Sequence, residues 1–147
     1  MTRKHIHVSS LAHPSQSERT AILDFHNQNF PNSKWSEQSF KKYFVDTPHH
    51  PICATIRDGK AFAGIVIGRF STNSRTSLNL ATLLVSGQCR GKGYGDVLMI
   101  AFFELTANIP NLKKIHLHFR DSNIHVKNFY RRFGFEKHRI CGKYSNG

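Results

Sequence analysis

Residues 89–95 read CRGKGYG, with glycines at 91, 93 and 95 and an arginine and a lysine among them. The apolar run LATLLV comes shortly before, and DVLMIAFFEL follows directly. The stretch LNLATLLV (78–85) is strand-like and ends at Val85. Beyond the glycines the period changes: Val97, Leu98, Ala101, Phe102 and Leu105 fall on one helical face, and Pro110 lies past its end. A glycine-rich loop therefore joins a strand to a helix. The first turn of a helix offers unpaired N–H groups and the positive end of a dipole, a ready site for a phosphate. Glycine lets the backbone approach such a ligand closely, and Arg90 and Lys92 add positive charge. The spacing is not the G-x-x-x-x-G-K-S/T of a Walker loop, nor the G-x-G-x-x-G of a dinucleotide fold. A plain flexible connection between strand and helix fits the loop taken alone.

The rest of the chain reads as one domain, without linker or internal repeat. IHVSS (6–10) alternates like a short strand. SQSE (15–18) fits a capping box, Ser15 as cap and Glu18 reaching back, with a helix to about Asn29 carrying Ile22, Phe25 and Asn29 on one stripe. Pro31 ends it. Ser36 is placed to cap a second helix, with Phe40, Tyr43 and Phe44 at helical spacing. After Pro48 and Pro51, ICATIR and KAFAGIVIGRF flank Asp58–Gly59 and read as a hairpin. KIHLHF (114–119) alternates, with Ile115, Leu117 and Phe119 facing one way and His116 and His118 the other. Asn123 stands where a helix cap would, Val126, Phe129, Tyr130 and Phe133 follow at helical spacing, and Gly134 supplies the stop. FEKHRI (135–140) is a last strand.

The 147 residues suffice for one domain with a real core. No apolar run approaches the ~20 residues of a membrane span, and no signal peptide is evident at MTRKHIHVSS. Cys53, Cys89 and Cys141 are odd in number and far apart, which argues against a disulfide framework and fits a reduced, cytoplasmic setting. Lys and Arg total 21 against 9 acids, a net charge of +12 with His neutral. Such a field attracts polyanions, so association with a ribosome or RNA is open, although the cations (Arg3, Lys41, Lys92, Lys113, Arg131) are scattered rather than clustered.

Three segments together resemble one family. VSGQCRGKGYG (85–95) is similar to the arginine/glutamine-x-x-glycine-x-glycine/alanine pyrophosphate motif of the Gcn5-related N-acetyltransferase superfamily. HFRDSN…NFYRRFGF (118–135) resembles its second motif, an asparagine followed by a phenylalanine/leucine–tyrosine pair and glycine–phenylalanine. NFPNSKWSEQSF (29–40) looks like a segment of the branch that acetylates the N-terminal alanine of a ribosomal protein. The resemblance covers about residues 6–146. It implies an α/β fold: a mixed, mostly antiparallel sheet of six or seven strands with strands 4 and 5 splayed, flanked by four helices. It also implies acetyl-CoA as co-substrate and a primary amine, above all a protein N-terminus, as acceptor.

The resemblance assigns roles position by position. The backbone of Leu83, Leu84 and Val85 pairs with the pantetheine arm, and an N–H there steadies the thioester oxyanion. N–H groups of Gly91, Lys92, Gly93, Tyr94, Gly95 and Asp96 hold the pyrophosphate, with Arg90 beside them. Asn123 hydrogen-bonds the cofactor, and Tyr130 returns a proton to the leaving thiolate. Read from the residues alone, Asn123 is a helix cap, alone or as well, and Tyr130 reads as core packing on an apolar stripe rather than as an acid. Trp35 and Phe30 either line a peptide groove or fix the first two helices together. Gly134 and Phe135 read as a helix stop and a core anchor.

Two departures bear on mechanism. The branch carries a glutamate base where this chain has His118, and imidazole, with pKa near ~6.5, is a workable base at neutral pH. His116 shares that face and is read as packing. Relatives also continue into a seventh strand beyond GKYSNG, so the C-terminal strand is expected to be short or missing. His116 and His118 have no third ligand at metal spacing, and no metal is expected. Lysine, polyamine, antibiotic and aminoacyl-tRNA amines remain alternative acceptors. A catalytically inactive member that binds acetyl-CoA or nucleic acid is the alternative from another class.

Overall fold

The computed structural model describes residues 6–10, 15–32, 34–44, 51–59, 61–70, 75–118 and 124–136. Its contacts divide the chain into two compact units, Met1–His116 and Leu117–Gly147.

In the first unit, local chemistry sets the helix starts. α1 (Gln16–Asn29) opens with the expected capping box: Ser15 Oγ accepts from the Glu18 N–H at 3.2 Å, and the Ser15 N–H donates to Glu18 Oε1 at 2.8 Å. α2 (Glu37–Phe44) is capped by Ser36 Oγ, which accepts from the Ser39 N–H at 3.1 Å. β2 (Ile52–Asp58) and β3 (Ala61–Phe70) form the hairpin, with Gly59 at φ 67° supplying the left-handed turn residue. β1 (Ile6–Ser10) pairs antiparallel with β2, β3 pairs antiparallel with β4 (Ser77–Val85), and β5 (Lys114–His116) joins β4 in parallel. The described sheet thus has five strands in the order β1-β2-β3-β4-β5, against the expected six or seven. Of the expected last strand, Phe135 and Glu136 are not in a strand, and 137–140 lie outside the described residues.

α1 and α2 cover one face of the sheet. Ile22, Leu23, Phe25 and Phe40 pack there with Cys53, Ile65, Ile67 and Leu84. α3 (Tyr94–Ala107) covers the other. Its approach is set by two glycines four apart on β3. A Cβ at Gly64 would lie 2.8 Å from Leu98 Cδ1 and 2.9 Å from the Leu84 carbonyl oxygen; one at Gly68 would lie 2.6 Å from Phe102 Cε1. Leu98 and Phe102 are themselves four apart on α3, so helix and strand mesh. The buried stripe of α3 is Tyr94, Leu98, Met99, Phe102 and Thr106. Leu98 and Phe102 are where the sequence places them. Val97, Ala101 and Leu105 are only half-buried, because the helix turns the other side of its apolar surface to the glycines.

β4 does not alternate simply. Its pairing with β3 runs Thr82↔Ile67 and then Leu80↔Gly68, so Ala81 is an extra residue, a β-bulge. The bulge inverts the parity of the strand. Leu78 faces α3, beside the Gly68 site, whereas Leu84 joins the α1–α2 core. A regular strand would have placed Leu78 and Leu84 on the same face.

The second unit holds α4 (Ile124–Arg131). Gly134, at φ 91°, ends this helical segment. The Gly134 N–H donates to the Arg131 carbonyl at 3.0 Å and the Phe135 N–H to the Tyr130 carbonyl at 3.3 Å. The Tyr130 and Phe135 rings meet edge to face at 5.7 Å, completing a Schellman stop with its apolar contact.

Candidate functional site

Two strands that start together and then part create the opening in the first unit. β5 pairs with β4 only through Ser77↔Lys114, Leu78↔Ile115 and Asn79↔His116. Beyond Asn79, β4 continues with its β3 ladder, Leu83↔Val66, Leu84↔Ile65 and Val85↔Gly64, but no β5 residue pairs with Leu80–Val85. The bulge at Ala81 falls just past the last β5 pair. A bulge bends its strand and adds local twist, which is the physical reason the two strands diverge there.

The chain then turns over the end of the sheet. The Ser86 N–H bonds the Ala63 carbonyl at 2.9 Å, and a 3-10 turn (Gly87–Cys89) closes with the Cys89 N–H on the Ser86 carbonyl at 3.0 Å. Gly91 and Gly93 have φ 81° and 80°, the left-handed region that glycine enters without steric cost. A Cβ at either would meet nothing within 4 Å. Unlike Gly64 and Gly68, then, these glycines face open space. Gly93 is the N-cap of α3 and no side chain caps the helix. The Val97 N–H returns to the Gly93 carbonyl at 3.1 Å and begins the helical ladder, so the N–H groups of Tyr94 and Gly95 precede it. Arg90 and Lys92 are exposed beside them.

Tyr94 contributes more than an N–H. Its side chain is buried, and its hydroxyl donates to Asp58 Oδ2 at 3.1 Å, tying the start of α3 to the β2–β3 hairpin. Burial, and then the Asp58 carboxylate, push the phenol above its ordinary pKa. The sequence marked Asp58 only as a turn residue. Its role as an anchor required knowing that β2 and β4 end on the same side of the sheet.

At the α1–α2 corner, the Asn27 carboxamide clamps the Trp35 backbone. Its Oδ1 accepts from the Trp35 N–H at 2.9 Å and its Nδ2 donates to the Trp35 carbonyl at 3.0 Å. Trp35 packs against the core cluster, 5.0 Å from the ring of buried His26 and 5.8 Å from that of Phe40, while Phe30 is exposed. Asn27 and His26 carried no sequence signal beyond polar residues on a helix.

His116 is half-buried in the first unit, with its Nδ1 3.3 Å from Ser77 Oγ. In the second unit His118 is exposed and outside regular strand, which shortens the KIHLHF strand to its first three residues. Tyr130 is half-buried, edge to face with Phe129 at 5.2 Å, and burial pushes its phenol up to about 12. It therefore keeps its proton throughout the neutral range. Asn123 lies outside the described residues. Among the described residues no group of three or more His, Cys, Asp or Glu is arranged to hold a metal ion.

A strand that loses its neighbour, a loop of left-handed glycines and an uncapped helix start agree with one sequence profile, that of the Acetyltransferase (GNAT) family, which matches residues 19–135. The chain belongs to this family. An uncharacterised N-acetyltransferase of Methanocaldococcus jannaschii is 31% identical over 87 residues, 59% of this chain and 53% of that protein, so the match spans about half the length of this curated relative. Among solved structures, an aminoglycoside acetyltransferase from an uncultured soil metagenomic sample, in complex with sisomicin, superposes with a TM-score of 0.74 at 11% identity, covering 97% of each chain. Arabidopsis thaliana Naa50, in complex with the bisubstrate analogue CoA-Ac-MVNAL, superposes with a TM-score of 0.68 at 16% identity, covering 89% of this chain and 83% of that one. At these identities the superpositions establish the fold.

Proposed function

We propose that this GNAT chain is an acetyl-CoA-dependent N-acetyltransferase whose acceptor is a protein N-terminal α-amine. The observation that carries the reading is the loop from Ser86 to Gly93. Two left-handed glycines border open space, and the N–H groups of Tyr94 and Gly95 at the start of α3 precede its hydrogen-bonded ladder. The pyrophosphate sits on the N–H groups of Gly91, Lys92, Gly93, Tyr94, Gly95 and Asp96, with Arg90 alongside. The pantetheine arm extends the sheet along Leu83, Leu84 and Val85, where no described residue of β5 pairs with β4. A backbone N–H there steadies the oxyanion that develops when the amine attacks the thioester. His118 takes the amine proton, directly or through a water, and Tyr130 gives one to the departing thiolate. Burial raises the Tyr130 phenol to about 12, so it carries its proton when the thiolate leaves. Asn123 completes the cofactor contacts.

Acceptor chemistry and charge favour an α-amine. With pKa near ~8 against ~10.4 for lysine, it is more often neutral at pH 7. A polycationic acceptor such as an aminoglycoside is disfavoured by a chain with 21 Lys and Arg against 9 acids, whereas a chain end presented on a polyanionic ribosome is favoured. The test has two arms. Acetyl-CoA should raise the melting temperature, and Gly93→Glu should abolish that rise by putting a side chain and a negative charge into the cradle. Peptides with a free, small first residue should be acetylated faster than N-terminally blocked peptides carrying lysine. No shift in a folded wild type refutes the cofactor assignment, and equal rates on blocked peptides refute the acceptor assignment.

A further inference from the structure

The two ends of the sheet in the first unit carry charge differently. At the end where β4 runs into the glycine loop, the cations Arg90 and Lys92 are accompanied by Asp58, which accepts from the Tyr94 hydroxyl, and by Asp96 in the first turn of α3. At the other end β3 finishes and β4 and β5 begin. Residues 69–79 and 108–116 make the connections there, and they contain Arg69, Arg75, Lys113 and Lys114 but no Asp or Glu. The nearest acid along the chain is Glu104, exposed on α3.

Backbone pairing gathers these cations. Arg69 lies opposite Asn79, and Lys114 opposite Ser77. The Thr76 carbonyl accepts from the Lys113 N–H at 2.8 Å and from the Lys114 N–H at 3.2 Å, so Arg75 and the two lysines run side by side. With adjacent strands about 5 Å apart, β3, β4 and β5 set the four cations along a rim about 10 Å wide. All four are exposed. The Arg75 guanidinium lies 5.2 Å from the centre of the Phe70 ring, which restricts its motion before any ligand arrives. Like charges this close repel one another and oppose folding, and a polyanion relieves that repulsion.

We propose that this rim binds the phosphate backbone of a structured RNA. Such a backbone takes Arg and Lys contacts without any apolar contact. A lipid surface asks for apolar side chains to insert, and the exposed large hydrophobics of the described residues, Phe30, Ile100 and Ile124, all lie outside these stretches. β4 is 9 residues long, so the rim and the glycine loop are roughly 25 Å apart and RNA and acetyl-CoA can be held together. The inference deepens the reading of a chain end presented on a ribosome.

The test is the anisotropy of a labelled RNA duplex titrated with the full chain over a range of salt. Changing Arg69, Arg75, Lys113 and Lys114 together to Gln should weaken binding at least about ten-fold at low salt. It should also reduce the slope of log affinity against log salt by about 3–4, as the loss of four phosphate contacts requires. Lys113→Gln with Lys114→Gln should reduce the slope by about 2, and this pair leaves the Arg75–Phe70 contact in place if the four-fold variant folds poorly. Both variants should keep the wild-type melting shift with acetyl-CoA, and saturating acetyl-CoA should leave the RNA bound. Wild-type affinity and slope in the lysine pair overturn the proposal. So does displacement of the RNA by acetyl-CoA, which would put it on the glycine loop, and so does tighter binding to phosphatidylserine vesicles than to the duplex. RNA binding is read without acetyl-CoA or peptide. Failure of the cofactor reading, seen as no melting shift in folded wild type, is therefore distinct from failure of this one.

Discussion

Gly64→Ala isolates the contact that links the core to the cofactor strand. Gly64 does not have a positive φ, so the alanine backbone fits without strain and any cost is steric. The new Cβ would lie 2.8 Å from Leu98 Cδ1, 2.9 Å from the Leu84 carbonyl oxygen and 3.2 Å from Ile56 Cγ2. Leu98 and Ile56 are fully buried and have little room to yield, and the Leu84 oxygen is backbone in a paired strand. Overpacking of this kind costs about 1–3 kcal/mol. The smaller unfolded-state entropy of alanine offsets about 0.4–1 kcal/mol of it. The net loss is about 1–2 kcal/mol, a fall of about 2–8 °C in melting temperature for a chain of this length. Strain relieved by moving Leu84 also displaces Leu83 and Val85, so acetyl-CoA should bind more weakly. Gly68→Ala is the control. Its Cβ meets the Phe102 ring at 2.6 Å and the Leu78 side chain at 3.3 Å, so it should destabilise while leaving acetyl-CoA affinity close to wild type. Thermal melts with and without acetyl-CoA, plus calorimetric titration, read both quantities. A neutral or stabilising Gly64→Ala would refute the close-approach argument. Equal affinity losses in the two variants would refute the link to the cofactor strand.

Three further outcomes are expected. His118→Ala and Tyr130→Phe should each lower kcat by about 10²–10⁴-fold with acetyl-CoA affinity retained, and His116→Ala should do little; kcat against pH for the three variants checks this. Burial pushes the Cys53 thiol from 9.0 up to about 12, so the unfolded chain loses this proton first as pH rises. The thiol's contribution is therefore complete below about pH 9 and declines from there to about 12; Cys53→Val should flatten the fall in melting temperature across that window. Tyr94→Phe removes the hydroxyl that donates to Asp58 and should cost about 1–2 kcal/mol in chemical denaturation while loosening the start of α3, so acetyl-CoA affinity should fall with it.

The parts of this molecule that were legible in the sequence are those decided within a few residues. Ser15 and Glu18 make a capping box because both partners lie within one turn. Asp58–Gly59 makes a hairpin turn, and Gly134 with Phe135 ends a helical segment, for the same reason. The glycine loop was legible too, because a strand-to-helix switch and left-handed glycines are both local. What stayed hidden depends on partners far along the chain. Nothing in LNLATLLV marks Ala81 as a bulge, since the extra residue exists only relative to the register of β3. The side of α3 that is buried was ambiguous because every residue from Val97 to Phe103 is apolar, leaving the period little contrast. Gly64 and Gly68 resolve that ambiguity, but only once β3 is known to lie under α3.

The bulge connects these hidden features to the chemistry. One extra residue at Ala81 carries Leu84 to the α1–α2 core, while Leu78 and Leu80 stay on the face of β4 that lacks Asn79. It bends β4 just past its last pair with β5. With the same residues in a regular ladder, Ser77 and Asn79 would share a face with Leu83 and Val85 rather than with Thr82 and Leu84. The bulge is therefore the feature that parts the strands for the pantetheine arm. Deleting Ala81 should remove the bulge alone: residues 77, 79, 82 and 84 would alternate regularly and keep their present face, while the β4 edge would regain a straight course beside β5. Such a variant should stay folded and lose most of its acetyl-CoA binding. A folded deletion variant that kept the acetyl-CoA shift would show that the strands part for a reason other than the bulge.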